Sequence, residues 1–127
     1  MAPKTNSINS IIGEGSSFEG KFYINGSLKV DGRFEGEIYT EDELHIGETG
    51  KVRTDIKAKR VTVAGTVIGD IVADEEVRLL SSSKVIGSIN APTVIIEKGV
   101  IFKGNLNIFS ELNKEEDIEK YVEEIYN

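Results

Sequence analysis

The stretch VIGDIVADEEVRL, Val67 to Leu79, decides the fold of this 127-residue chain. Its apolar residues Val67, Ile71, Val77 and Leu79 are separated by four, six and two positions, all even. Side chains an even number of residues apart share one face of a strand, so these four point inward while Ile68, Asp70 and Arg78 point out. An amphipathic helix would repeat at three and four over ten or more positions; here Gly69 and the acidic corner Asp74-Glu75-Glu76 interrupt the alternation first.

The same phrase recurs along the chain. Its first apolar position falls at Phe18, Phe34, Val52, Val67, Val85 and Phe102, in steps of 16, 18, 15, 18 and 17 residues. Four residues later come Phe22, Ile38, Ile56, Ile71, Ile89 and Leu106, and the closing pairs are Leu28/Val30, Leu44/Ile46, Val61/Val63, Val77/Leu79 and Val94/Ile96. Three short faces per repeat predict an all-β solenoid, a parallel β-helix of about six windings in which each coil pairs with the last about 4.8 Å away. The interior of such a column is narrow, which accounts for an inward set of Val, Ile, Leu and Phe and for the lack of Trp. Gly20, Gly36, Gly69, Gly87 and Gly104, each two residues after the first apolar position, mark a corner that a Cβ would crowd. Outward positions stack into columns such as Lys21, Glu37, Asp55, Asp70, Ser88, Asn105, and Lys21 with Glu37 and Glu35 with Arg53 are expected cross-strand charge pairs.

The predicted organisation is a flexible N-terminal tail over 1–15, in which Ile11-Ile12-Gly13 starts an incomplete coil, a β-helix over 16–110, and an acidic segment over 111–127. Beyond Phe109 the period changes to 3.6, with Ile118, Tyr121, Val122 and Ile125 on one helical face and Asn113 followed by Glu116 as a capping box. A short C-terminal helix over about 114–126 follows, folded back on the column or open to a partner.

Charge is distributed unevenly. Residues 111–127 hold seven acids and two lysines, a net of −5, whereas residues 1–110 hold fifteen acids and thirteen bases, a net of −2. A nearly neutral body with an acidic tail is a poor partner for phosphate backbones, so nucleic acid is not an expected target. The absence of Cys removes disulfides, thiolate metal sites and cysteine nucleophiles. With no signal peptide and no long apolar run, the expected location is cytoplasmic.

Catalytic chemistry finds little support. HIGETGKV (His45 to Val52) and VIGDIVA (Val67 to Ala73) look like hexapeptide-repeat acyltransferases, which use a His as general base. The single His, His45, lies between Leu44 and Ile46 and so points outward, in one column with Lys29 and Thr62. The carboxylates Glu41-Asp42-Glu43 sit at a corner, where solvated acids are ordinary, and no glycine-rich loop leads from a strand into a helix. The chain reads as a non-enzyme with no cofactor, metal or nucleotide requirement.

Function is therefore expected on surfaces. A solenoid exposes unpaired strand edges and an apolar cross-section at its ends, and four of the five Phe residues fall there. Phe18 and Phe22 at one end, and Ile101, Phe102, Leu106, Ile108 and Phe109 at the other, are the expected polymerisation interface between identical columns. Ile68, Val72 and Ile86 stand at outward positions and are candidates for lateral contacts. Ile118, Tyr121, Val122 and Ile125 are candidates for a partner-binding helix face. The alternative is a β-helical adaptor that binds other proteins without polymerising.

The stretch INSIIGEGSSFEGKFYINGSLKVDGRFEGEI, Ile8 to Ile38, resembles the opening of the bactofilins, polymer-forming cytoskeletal proteins of bacteria, and the similarity extends to about Asn107. The resemblance implies a right-handed, triangular β-helix and nucleotide-independent filaments built through end coils. It further implies a scaffold for cell shape or subcellular organisation, held at the inner face of the membrane through cell-envelope or shape-determining partners. Many bactofilins carry an N-terminal membrane-binding tail; Met1 to Ser10 has one Lys, one Ile and no aromatic, which argues against direct membrane attachment.

Overall fold

A computed structural model describes residues 8–109, and all the regular structure there is β. Eleven strands follow in order: β1 (Ile8–Ile12), β2 (Ser17–Ile24), β3 (Ser27–Val30), β4 (Arg33–Thr40), β5 (Glu43–Ile46), β6 (Lys51–Val63), β7 (Thr66–Ile68), β8 (Ile71–Leu79), β9 (Lys84–Ala91), β10 (Val94–Ile96) and β11 (Ile101–Ile108). Every pairing among them is parallel and joins one coil to the next, so the chain is a β-solenoid of about six turns.

Three faces result. Face A stacks the first halves of β2, β4, β6, β9 and β11 with β7; face B stacks their second halves with the start of β8; face C stacks β1, β3, β5, the ends of β6 and β8, and β10. The register is the one the repeat predicts. Phe18, Phe34, Val52, Val67, Val85 and Phe102 form one ladder column, and Phe22 sits on Ile38 and Leu106 on Ile89 at its two ends. The middle of each inward column is dry: Phe34, Val67, Val85, Ile71, Ile89, Leu28, Val30, Ile46 and Leu79 are completely buried.

The corner between faces A and B shows why glycine recurs. Gly36, Gly69, Gly87 and Gly104 have φ between 132° and 142°, and a Cβ on any of them would strike the carbonyl of the coil before. In the third coil Thr54 holds this position at an ordinary φ, because β6 runs unbroken from face A through face C. Its hydroxyl is buried and donates to the Gly36 carbonyl instead.

Two expectations need adjustment. The ladder begins inside the stretch read as a tail: β1 starts at Ile8 and lies on β3, pairing Ile11 with Lys29 and Ile12 with Val30. Lys21 and Glu37, and Glu35 and Arg53, are register partners, yet neither pair closes into an ion pair. Charges meet at the corner between faces B and C instead, where Arg60 reaches Glu43 in the coil before (2.8 Å) and Glu75 in the coil after (3.0 Å), with Lys59 also on Glu75. The C-terminal helix expected over 114–126, with Ile118, Tyr121, Val122 and Ile125, lies outside the described residues.

Candidate functional site at the ends of the column

The described strands start on face C with β1 and finish on face B with β11, so each end of the described column is a step and not a flat cut. Among the described residues β1 and β2 carry no strand on their leading side, and β10 and β11 carry none on their trailing side. Among the described residues both ends therefore present backbone donors and acceptors without a strand partner, beside inward side chains that no further strand covers.

At the leading end the inward side chains are aromatic. Phe18 stacks on the buried Phe34 with ring centroids 5.0 Å apart and a 12° interplanar angle, and Phe22 closes the group at 5.2 Å from Phe18. Phe22, Ile24 and Ile12 pack on the core from its outermost layer and stay half-buried. The two aromatics predicted for this end are thus brought together.

The trailing end is largely aliphatic. Phe102 rests on Val85, Leu106 on Ile89 and Ile108 on Ala91, all in inward columns; Leu106 and Ile108 stay 40% and 56% exposed because no described strand follows. Phe109 caps the strand, its amide donating to the Ala91 carbonyl at 3.1 Å. Ile101 is placed differently from the sequence expectation. It is the register partner of the outward Lys84, so it belongs to the side of the column and not to its cross-section.

Sequence reasoning missed Ile96. It lies on Leu79 in an inward column of face C, yet it is 45% exposed, since that face ends one strand earlier than the other two. Its inward phase was legible from the Val94/Ile96 pair; its exposure depends on where the helical path is cut.

The proposed lateral set is split. Ile68 and Ile86 are register partners on face A, both exposed, whereas Val72 lies on face B beside Lys57 and Asn90. Face B also carries a stacked pair, Tyr23 and Tyr39, 5.7 Å apart, with the Lys57 ammonium 5.8 Å from the Tyr39 ring. His45 is exposed on face C between Lys29 and Thr62. Among the described residues no cluster of His, Asp or Glu could hold a metal ion, and no helix is long and apolar enough to cross a membrane.

A repeat column whose described end strands lack a further partner, with its polar side chains spread over side ladders, defines a structural β-solenoid. The chain belongs to the bactofilins: the family described as polymer-forming cytoskeletal matches residues 10–107. It is 34% identical over 100 residues to Bactofilin BacO of Myxococcus xanthus (strain DK1622), covering 79% of each chain. Against Bactofilin BacP of the same organism identity is 32% over 108 residues, 85% of this chain and 45% of BacP. The solid-state NMR structure of the cytoskeletal bactofilin BacA superposes with a TM-score of 0.71 at 32% identity, over 80% of this chain and 96% of that one. Membership makes the chain a cytoskeletal scaffold protein of a structural rather than enzymatic family.

Proposed function

We propose that this bactofilin assembles end to end into filaments without nucleotide and acts in the cytoplasm as a scaffold for cell shape or subcellular organisation. In this reading it is tied to the inner face of the membrane through envelope or shape-determining partners rather than by its own N-terminus. The observation that supports the proposal is the pair of ends that no further strand covers among the described residues: Phe18 and Phe22 at one, Phe102, Leu106, Ile108 and Phe109 at the other. Fully burying an aliphatic or Phe side chain contributes about 1.5–3 kcal/mol, so end contacts that complete the burial of several half-exposed side chains supply several kcal/mol before any ladder hydrogen bond is counted. Ile101 stands at the rim of such a contact.

Electron microscopy of the purified chain, with no nucleotide added, tests this directly. Long thin fibres are expected; monomers that persist at high concentration would point to a non-polymerising adaptor. Phe102→Arg places a guanidinium in the contact, where desolvation on stacking costs several kcal/mol, and is expected to yield folded subunits that stay in the supernatant on ultracentrifugation. Normal fibres from that variant would remove Phe102 from the interface.

A further inference from the structure

The charges on face A are segregated along the column. In the first two complete coils its outward side chains are Ser17, Glu19, Arg33 and Glu35, the last lying beside Arg53, but from the third coil onward they are Lys51, Arg53, Thr66, Ile68, Lys84, Ile86, Ile101 and Lys103, with no carboxylate among them. Among the described residues none of the four bases has an ion-pair partner. Between them lies an apolar strip: Ile68 on Ile86, with Ile101 one strand on and beside Lys84, exposed to 36%, 47% and 50%. In a protein of net charge −7 this half-face is a local excess of four positive charges around three isoleucines.

We infer that this half of face A is the docking surface for the chain's own acidic C-terminal segment, residues 111–127. Charge complementarity is the first reason: the segment brings seven acids against two lysines, to a surface of bases without partners. Apolar complementarity is the second, because Ile118, Tyr121, Val122 and Ile125 recur at the spacing of one helical face and match the isoleucine strip. Reach is the third. Passing from the last position of face B to the first of face A takes nine residues from Ile24 to Arg33, eleven from Thr40 to Lys51 and ten from Ala91 to Ile101. Ile108 ends face B in the last described strand, and the nineteen residues 109–127 exceed the nine to eleven that such a passage takes, so the segment is long enough to reach face A. A second copy applying the same half-face would set Lys51, Arg53, Lys84 and Lys103 against their own counterparts, a like-charge contact.

The chain has no cysteine, so a single introduced thiol reports the surface without background. Ile86→Cys is compared in the full chain and in the chain ended at residue 110, by rate of alkylation with iodoacetamide. A segment docked nine-tenths of the time slows the reaction about tenfold in the full chain. Adding Lys84→Glu and Lys103→Glu, or raising the salt to about 1 M where the Debye length is near 3 Å, is expected to restore the fast rate. Ser88→Cys, outward on face B, serves as the control and reacts equally in both chains. Equal rates at Ile86→Cys with and without residues 111–127 would overturn the inference. Slow reaction in both chains would also overturn it, by showing that a second copy covers the strip.

Discussion

Gly87→Ala tests the stacking of the coils most directly. Two costs are separable there. The backbone at Gly87 has φ +142°, a region that L residues avoid at about 1–3 kcal/mol. In addition a Cβ would overlap the Gly69 carbonyl oxygen and lie 2.7 Å from its carbon and 3.2 Å from the Gly69 nitrogen, so two coils must be pushed apart. Overpacking of that kind costs about 1–3 kcal/mol, which brings the total to roughly 2–6 kcal/mol. With a urea m-value near 2 kcal/mol/M, the unfolding midpoint should fall by about 1–3 M. Gly20→Ala provides the comparison, since Gly20 has the same backbone conformation at φ +138°, yet its Cβ would meet only the Phe18 ring at 3.8 Å. It stands in the first complete coil, with no described strand ahead of it. The variant is therefore expected to lose only the conformational part, about half of the Gly87→Ala effect. Urea titrations of both variants, followed by far-ultraviolet circular dichroism, give the two midpoints. Equal losses would refute the argument that the preceding coil's carbonyl excludes a side chain. A neutral Gly87→Ala would show that the coil can adopt the Thr54 path and that the corner does not demand glycine.

Other consequences can be checked with single variants. Phe34→Ala removes a completely buried ring stacked at 5.0 Å on Phe18 and should cost about 3–5 kcal/mol, read as a lower melting temperature. The Glu75 carboxyl is held below its usual value chiefly by the hydrogen bond from Arg60, with Lys59 adding a smaller attraction. A lowered folded-state pKa gives stability that is present above the usual value of 4.5 and lost as pH falls through the folded value. Below about pH 4.5 the parent should therefore lose more melting temperature than Glu75→Gln, and parallel curves would exclude this contribution. The pair is solvent-exposed, so the difference is small and shrinks in high salt.

Much of the fold was legible because a solenoid repeats one local pattern. Alternation along VIGDIVADEEVRL settles which side chains face inward, and parallel in-register stacking carries that phase from coil to coil. The positions read as the first apolar column, Phe18 to Phe102, are direct register partners. The outward placement of His45 with Lys29 and Thr62 follows from the same phase. Charge pairing was less legible: Arg60 meets its register partner Glu43 in the coil before, but in the coil after it bonds Glu75 and not its register partner Glu76, at a corner where the register shifts.

The end surfaces divide the two kinds of information clearly. From the amino-acid order alone came the coil period, the inward set and the aromatic enrichment of the extremities, since each is a property of neighbours two or four residues apart. Only the tertiary structure decided that, among the described residues, the path opens on face C with β1 and closes on face B with β11. That stagger exposes Ile96 at the cross-section, while β11's pairing with β9 turns Ile101 to the side beside Lys84. The physical reason is that exposure at an end depends on whether a strand some 17 residues away in sequence is present above a given side chain. Local periodicity determines the direction in which a residue points, but the three-dimensional course of the chain determines what, if anything, lies there.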